Sequence, residues 1–458
     1  MLRTSSKIIF LLLSTVILFY SCEEEEDLLI TEPQTDERSA AETVQDTVYS
    51  DAELLKVLEE EFDFLEQEKK GNISDISSMD IVKENPKKVY VHYLPWFQSK
   101  DFDGYWGQHW TMSNQNPDVP KSNGNLQIAS HYYPLIGPYS SNDPDLHEYH
   151  FLMMKLSGID GVIFDWYGSK DLHDYGLIKQ STETFITALE DLGLQFSIMY
   201  EDRVAAQVAE QSATTSIIEA AQDDFTYINQ KYFPSPQYMK HNNNNMLFVF
   251  GPHHITTETS WNQVFDILPT SNRPDFLTLW AASNTVGVNA TGEFLWVDQD
   301  HLLAHEHYYN THQTTDQIIV GSAYPGFNSF YNEGGWTGGT DSWTIDLNNG
   351  TTFIETLNYN HHERSDFIQI ITWNDFGEGT MIEPTQEFGF TYLQLLQQYT
   401  GVPHTSDDLQ VALDLYLARK EYTNNEQAQR LLDRTYKYIK QLDMNRADKI
   451  IKSIQRFL

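Results

Sequence analysis

Two carboxylic acids three residues apart, Asp375 and Glu378, stand in the run Asn374-Asp375-Phe376-Gly377-Glu378-Gly379-Thr380, directly after the apolar stretch 367–372. Cleaving a glycosidic bond takes one protonated carboxyl, to donate to the leaving oxygen, and one ionised carboxyl. Surroundings that push their pKa values apart assign those duties. Gly377 and Gly379 permit a tight turn, so both groups can aim at one centre. Acidic residues are also common in polar loops, and the spacing alone does not separate the two readings.

The elements that must hold such a pair are legible as short apolar runs. They cover 89–93, 161–165, 196–200, 246–250, 276–280, 294–298, 318–322 and 367–372. Several lack strict alternation, as expected of parallel strands buried on both faces. Helical patterns fill some of the gaps, for instance 146–156 and 182–192. The predicted fold is α/β: a (β/α)8 TIM-type barrel with long βα loops and a helical C-terminal appendage. A doubly wound sheet is the alternative, but no Gly-rich phosphate loop follows the first strand. Reactive groups of such barrels sit at the C-terminal ends of strands. Aromatic and polar residues crowd those ends here: Trp96, then Asp165-Trp166-Tyr167, then Tyr200-Glu201-Asp202-Arg203, then Tyr324, then Trp373 and Asn374. Aromatic faces and hydrogen-bonding side chains suit a neutral, hydroxyl-rich ligand. Trp96, Trp166, Tyr167, Tyr200 and Tyr324 are therefore expected to line its subsites.

Charge narrows the partners. The 458 residues carry 29 basic and 66 acidic side chains, a formal net charge of −37. Such a field repels nucleic acid and anionic lipid, which excludes nucleic-acid binding as the main activity. The single cysteine, Cys22, excludes disulfides within the chain and a thiolate zinc site. His305-Glu306-His307 and His361-His362-Glu363 lack the spacing of a helical zinc motif. Asp101-Phe102-Asp103-Gly104 lacks the later ligands of a calcium loop. No Gly-x-Ser-x-Gly elbow occurs either. No metal and no cofactor is expected.

At the start, Arg3 and Lys7 precede an apolar run, 8–19, too short to span a bilayer, and Ser21-Cys22 follow. Residues 1–22 read as a lipoprotein export signal with Cys22 as the lipidated residue. The acidic run 23–27 resembles the surface-export tag of Bacteroidetes outer-membrane lipoproteins. The expected location is lipid-anchored at the outer membrane, facing the cell surface, beside components of a glycan-uptake system. Residues 23–50 form an acidic tether, and 51–86 an amphipathic helix (Leu54, Leu58, Phe62, Leu65) expected to pack on the main domain, plus a linker. The catalytic barrel occupies 87–400 and C-terminal helices 401–458.

The wording of several segments is recognisable. The stretch 371–384 around Asp375 and Glu378 resembles the catalytic segment of glycoside hydrolase family 99. Further matches lie in order: His92-Tyr93-Leu94-Pro95-Trp96-Phe97, Tyr133-Pro134 through Asp143-Pro144, Asp165-Trp166-Tyr167-Gly168, Ile198-Met199-Tyr200-Glu201 and Tyr324-Pro325-Gly326-Phe327. Together they span roughly 88–395. The resemblance implies a (β/α)8 barrel and an endo-acting α-mannosidase that cuts an internal α-1,2-link without a metal. It implies Glu378 as general acid/base, Asp375 as the group assisting the sugar 2-hydroxyl, and Glu201, Asn374 and Glu383 as substrate-binding residues. Asp375 stands where the family carries Glu. The run Trp373-Asn374-Asp375-Phe376-Gly377-Glu378 is similar also to family 71 α-1,3-glucanases, in which the first carboxylate would activate water. Either comparison implies a polysaccharide or oligosaccharide substrate.

Overall fold

Eight parallel strands close on themselves among the described residues of the computed structural model, which are 49–70, 78–190, 192–312, 317–336, 343–363 and 365–458. They are β1 Val89–Tyr93, β2 Gly161–Trp166, β3 Gln195–Tyr200, β4 Asn244–Val249, β5 Asp275–Leu279, β6 Ala290–Phe294, β7 Ile318–Ala323 and β8 Phe367–Ile370. Neighbours in sequence pair in parallel, and β8 returns to β1 to close a (β/α)8 barrel. A two-residue antiparallel arm, Lys240–His241, is appended to β4. The expected export signal, Cys22 and nearly all of the tether lie outside the described residues.

The sixth strand corrects the sequence reading. It was expected at 294–298 and runs instead from Ala290 to Phe294, so Trp296 lies beyond it at the barrel mouth. Glu293 interrupts the apolar pattern of this strand. It is buried, yet its carboxylate faces His312 at 3.1 Å and accepts the N–H groups of Ala281 (3.1 Å) and Ser283 (2.9 Å). Those hydrogen bonds and the imidazole outweigh desolvation and hold its pKa low.

Successive side chains of a strand point to opposite faces, and here the two faces are two cores. Tyr90, Ile163, Met199, Phe248, Leu277, Phe294, Val320 and Phe367 fill the barrel interior. Val91, Phe164, Trp166, Phe196, Ile198 and Tyr200 point outward into the larger core shared with the surrounding helices. Those helices include Pro144–Leu156, capped by Asp143 with proline at its start, and Ile217–Lys231, opened by a Ser216/Glu219 capping box.

Helices Ser406–Glu421, Glu426–Lys440 and Met444–Phe457 form the C-terminal region. The first packs on Pro144–Leu156, fastened by Arg419 on Glu148 at 2.7 and 2.9 Å. The N-terminal helix, Asp51–Glu68, packs on Met444–Phe457 of the C-terminal region. Its Glu61 explains the choice. That buried carboxylate accepts from Arg434 (3.2 Å), Arg446 (2.6 Å) and Tyr438 (3.0 Å), all in the C-terminal helices. Among the described residues no helix is long and apolar enough to cross a membrane.

Candidate active site

A cavity of about 710 Å³ opens at the C-terminal end of the barrel. The walls are the ends of strands and the segments that follow them: Trp96 after β1, Asp165 near the end of β2 and Tyr167 after it, Glu201 and Arg203 after β3. Trp296 follows β6, Tyr331 and Trp336 follow β7, and Asp375, Gly377 and Glu378 follow β8. The long segment after β1 adds His109 and Met112.

The turn after β8 brings the two expected carboxyl groups into this cavity. Asp375 N–H donates to Thr372 Oγ1 (2.8 Å), and Glu378 N–H donates to Asp375 Oδ1 (2.9 Å). Gly379 N–H closes the turn on the Asp375 carbonyl at 3.0 Å. The surroundings require glycine at 379 and leave little room at 377. A Cβ on Gly377 would stand 3.3 Å from Asp375 Oδ1, whereas Gly379 has φ +67° and a Cβ there would lie 2.8 Å from the Asn328 carbonyl. Asp375 is 5% exposed. Burial raises its pKa from 3.8 to about 6, against the lowering effect of the Glu378 and Gly377 N–H groups. Glu378 is half-buried and accepts the Tyr331 hydroxyl at 3.2 Å.

On the opposite side Glu201 pairs with Arg203 (2.7 Å), whose guanidinium lies 5.5 Å from the centre of the Tyr167 ring. Burial pushes the Glu201 pKa up, and the Arg203 charge opposes the shift. Asp165 is pushed well above the usual carboxylate range, first by burial and then by the Glu201 charge. Trp96 lies flat on His109, ring centres 4.1 Å apart and planes 4° apart, while Asp174 holds His109 at 3.1 Å. The rings present a broad aromatic wall.

Of the residues named from sequence, Trp96, Tyr167, Glu201, Asp375 and Glu378 meet at the cavity. Five others do not reach it, and the strand alternation explains the first two. Trp166 follows Asp165 by one position and so points outward, 0% exposed, among Tyr200, Tyr227 and Tyr232. Tyr200 also points outward and donates to Asp224 at 3.1 Å. Tyr324 is buried against His301, 3.0 Å from its hydroxyl to Nδ1. Asn374 is spent on the backbone: its Nδ2 donates to the Leu94 carbonyl (3.1 Å) and its Oδ1 accepts from Leu94 N–H (2.9 Å), tying the β8 turn to β1. Glu383 is fully buried, accepting the Tyr139 hydroxyl at 2.7 Å with His150 at 3.3 Å. These two groups position the turn.

Sequence reasoning passed over Asp165 and Arg203 as individual wall residues, although both stood in quoted strand ends. It missed His109, Tyr331 and Trp336 altogether. They come from long loops without a periodic pattern. The signal for Asp165 is the alternation itself, since Ile163 and Asp165 share the inward face. Among the described residues no group of three His, Cys, Asp or Glu side chains is arranged to hold a metal ion. His305 is buried on the Ser322 carbonyl at 2.8 Å.

Fold and site together define a (β/α)8-barrel protein with a cleft of carboxyl groups and aromatic rings at its C-terminal mouth. A model of glycosyl hydrolase family 99 matches residues 85–273, and one of a domain of unknown function (DUF5010) matches 280–411. A glycoprotein endo-alpha-1,2-mannosidase of Xenopus laevis is 23% identical over 187 residues, 38% of this chain and 39% of that protein. A glycoprotein endo-alpha-1,2-mannosidase-like protein of Danio rerio is 28% identical over 153 residues, 31% of this chain and 32% of that protein. The chain thus spans under two fifths of the length of these relatives. The solved GH99 endo-alpha-mannosidase of Bacteroides thetaiotaomicron superposes with a TM-score of 0.55 at 18% identity, covering 72% of this chain and 99% of that one. Over residues 85–273 the chain is thus similar to glycosyl hydrolase family 99, and its barrel to the solved fold of that family.

Proposed function

We propose that the chain is an endo-acting glycoside hydrolase that cleaves internal α-linkages of a neutral polysaccharide, of α-mannan type ahead of α-glucan type. Glu378 is the proton donor. Asp375 activates either the sugar 2-hydroxyl or a water molecule. One observation carries this reading: a single turn beyond β8 delivers both carboxyl groups to one aromatic-walled cavity of about 710 Å³. A pKa near 6 leaves Asp375 ionised at neutral pH, as a base requires. The net charge of −37 favours uncharged substrates. The relatives' names support the mannan type.

A second reading, a glycan-binding barrel without turnover, is favoured by one feature. Asp375 Oδ1 already accepts the Glu378 N–H within its own turn, as a purely structural carboxylate would. Incubation with α-mannan, α-1,3-glucan and related polymers separates the two. New reducing ends support the hydrolase, whereas binding without them supports the second reading.

Export also belongs to the proposal. The run 8–19, Ser21-Cys22 and the acids after them support a lipid anchor at Cys22 and a site on the outer membrane. Cys22→Ser should move the protein out of the membrane fraction or leave it unprocessed. An unchanged fractionation contradicts the anchor.

A further inference from the structure

Glu378 is held in the cleft by a phenol that the family wording around the β8 turn does not include. The Tyr331 hydroxyl donates to Glu378 Oε1 at 3.2 Å. Backbone pairing builds this contact. In the segment after β7, Asn328 N–H donates to the Glu378 carbonyl and Phe330 N–H to the Gly377 carbonyl, both at 2.8 Å. The pairing fixes the register of the two segments and brings Tyr331 opposite the Gly377-Glu378 step.

The ring is fixed as well. Tyr331 Cε1 lies 3.4 Å from where a Cβ on Gly377 would stand. Trp336 stacks on the same ring, centres 6.1 Å and planes 27° apart, and its N–H donates to the Tyr331 carbonyl at 2.8 Å. The short helix Tyr331–Gly334 is tied in turn to the long segment after β1. Ser113 N–H donates to the Gly334 carbonyl at 2.8 Å, and Asn114 Nδ2 to the Glu333 carbonyl at 2.9 Å. The hydroxyl is therefore aimed at Glu378 by its surroundings.

A phenol has one proton to donate. Its bond to a neutral carboxyl is ordinary, whereas its bond to a carboxylate is charge-assisted, shorter and roughly twice as strong. At 3.2 Å the contact is long for an O–H···O bond, so it has room to shorten as charge develops on Glu378. An interaction that strengthens along the reaction lowers the barrier.

We propose, resting on the glycosidase reading above, that Tyr331 is a positioning residue for the proton donor, holding Glu378 Oε1 and stabilising the carboxylate that proton transfer leaves behind. The proton that moves is carried by the other oxygen, Oε2. As the bond from the anomeric carbon to the glycosidic oxygen breaks, its electron pair goes to that oxygen, which takes the Oε2 proton. The nucleophile prepared by Asp375 forms the new bond to the anomeric carbon. Glu378 keeps the electron pair of its O–H bond, and Tyr331 keeps its own proton.

Tyr331→Phe removes the hydroxyl and leaves the ring against Gly377 and Trp336. The substrates are unactivated oligosaccharides of α-mannan or α-1,3-glucan, whichever the wild type cleaves, whose leaving groups need the proton. On them the variant should lose at least about tenfold in kcat, with KM changed by less than about threefold. On a 2,4-dinitrophenyl α-glycoside of the same sugar, whose phenolate leaves unprotonated, kcat should fall by less than about threefold. Packing damage would lower both rates alike. In the Glu378→Gln background the same substitution should cost no more than about twofold on the oligosaccharides, because the charge it stabilises no longer forms. Equal losses on both substrates, or wild-type kcat on the oligosaccharides, overturn the proposal. The contact is also read without turnover and with the tyrosine in place. An isotope label on the phenol carbon of Tyr331 alone should shift its NMR signal in Glu378→Gln, and an unmoved signal overturns the proposal even where the Phe variant does not fold. A wild-type protein that cleaves no polymer and no activated glycoside overturns the glycosidase reading and this role with it. The label still judges the Tyr331–Glu378 contact by itself.

Discussion

The two walls of the cleft bury the same kind of acid and compensate it in different ways. On the β8 side, Asp375 is held by backbone N–H groups of its own turn, with Glu378 N–H at 2.9 Å. On the β3 side, Glu201 is held by a guanidinium at 2.7 Å. Backbone donors offset part of the desolvation penalty and leave the carboxyl able to change protonation near neutral pH. A guanidinium opposes the same penalty by its charge, and burial still leaves the Glu201 pKa raised. The contrast is in the partner: backbone amides on one wall, a guanidinium on the other, with burial raising the carboxyl pKa on both.

The largest effect expected from breaking this contrast is chemical. Glu378→Gln should lower kcat by about 10²–10⁴-fold and spare substrate binding. Asp375→Glu sharpens the linkage question, since a gain in activity favours the family 99 route and a loss the water-activating one.

Next in size is a packing effect on the outer face of β2. Trp166→Ala should cost about 3–5 kcal/mol of stability, read by denaturant unfolding. The folded variant should keep its KM, because Trp166 faces the helices (0% exposed) and not the cleft. A raised KM in a folded variant would return Trp166 to the substrate.

Asp375 links the comparison to pH. Its folded pKa is raised from 3.8 to about 6, so the native chain binds this proton more tightly than the unfolded one. The stability it contributes, roughly 3 kcal/mol, is complete below pH about 4 and lost as pH rises through about 6. The wild-type Tm minus the Asp375→Asn Tm should therefore fall across that window. Activity should run the other way, rising as Asp375 ionises. The smallest effect belongs to the turn itself. Gly379→Ala must place a side chain at φ +67°, at a cost of about 1–2 kcal/mol from the backbone alone. Its measure is a lowered Tm with kcat reduced as the turn shifts.

How far the sequence carried this picture depends on the residue. Seven strands announce themselves because their residues are apolar on both faces, as in Val89–Tyr93 and Phe367–Ile370. The remaining strand, β6 (Ala290–Phe294), hides because Glu293 lies in it, made tolerable by His312 and two N–H donors that no local pattern reveals. The motif after β8 locates Asp375 and Glu378 at the cavity. Trp166 and Tyr200 were placed beside them because they lie at strand ends. One residue of register turns a side chain to the other face, and strand-end position does not encode that face. Tyr331, Trp336 and His109 reach the cleft from long loops, whose paths are set by tertiary packing and not by periodicity.

The most direct test of the central claim is the early product pattern from α-1,2-linked mannan, wild type beside Glu378→Gln. The account predicts oligosaccharides of intermediate length and new reducing ends from the wild type, and bound but uncut polymer from the variant. Equal cleavage by both proteins, or binding by both with no new reducing ends, would contradict it.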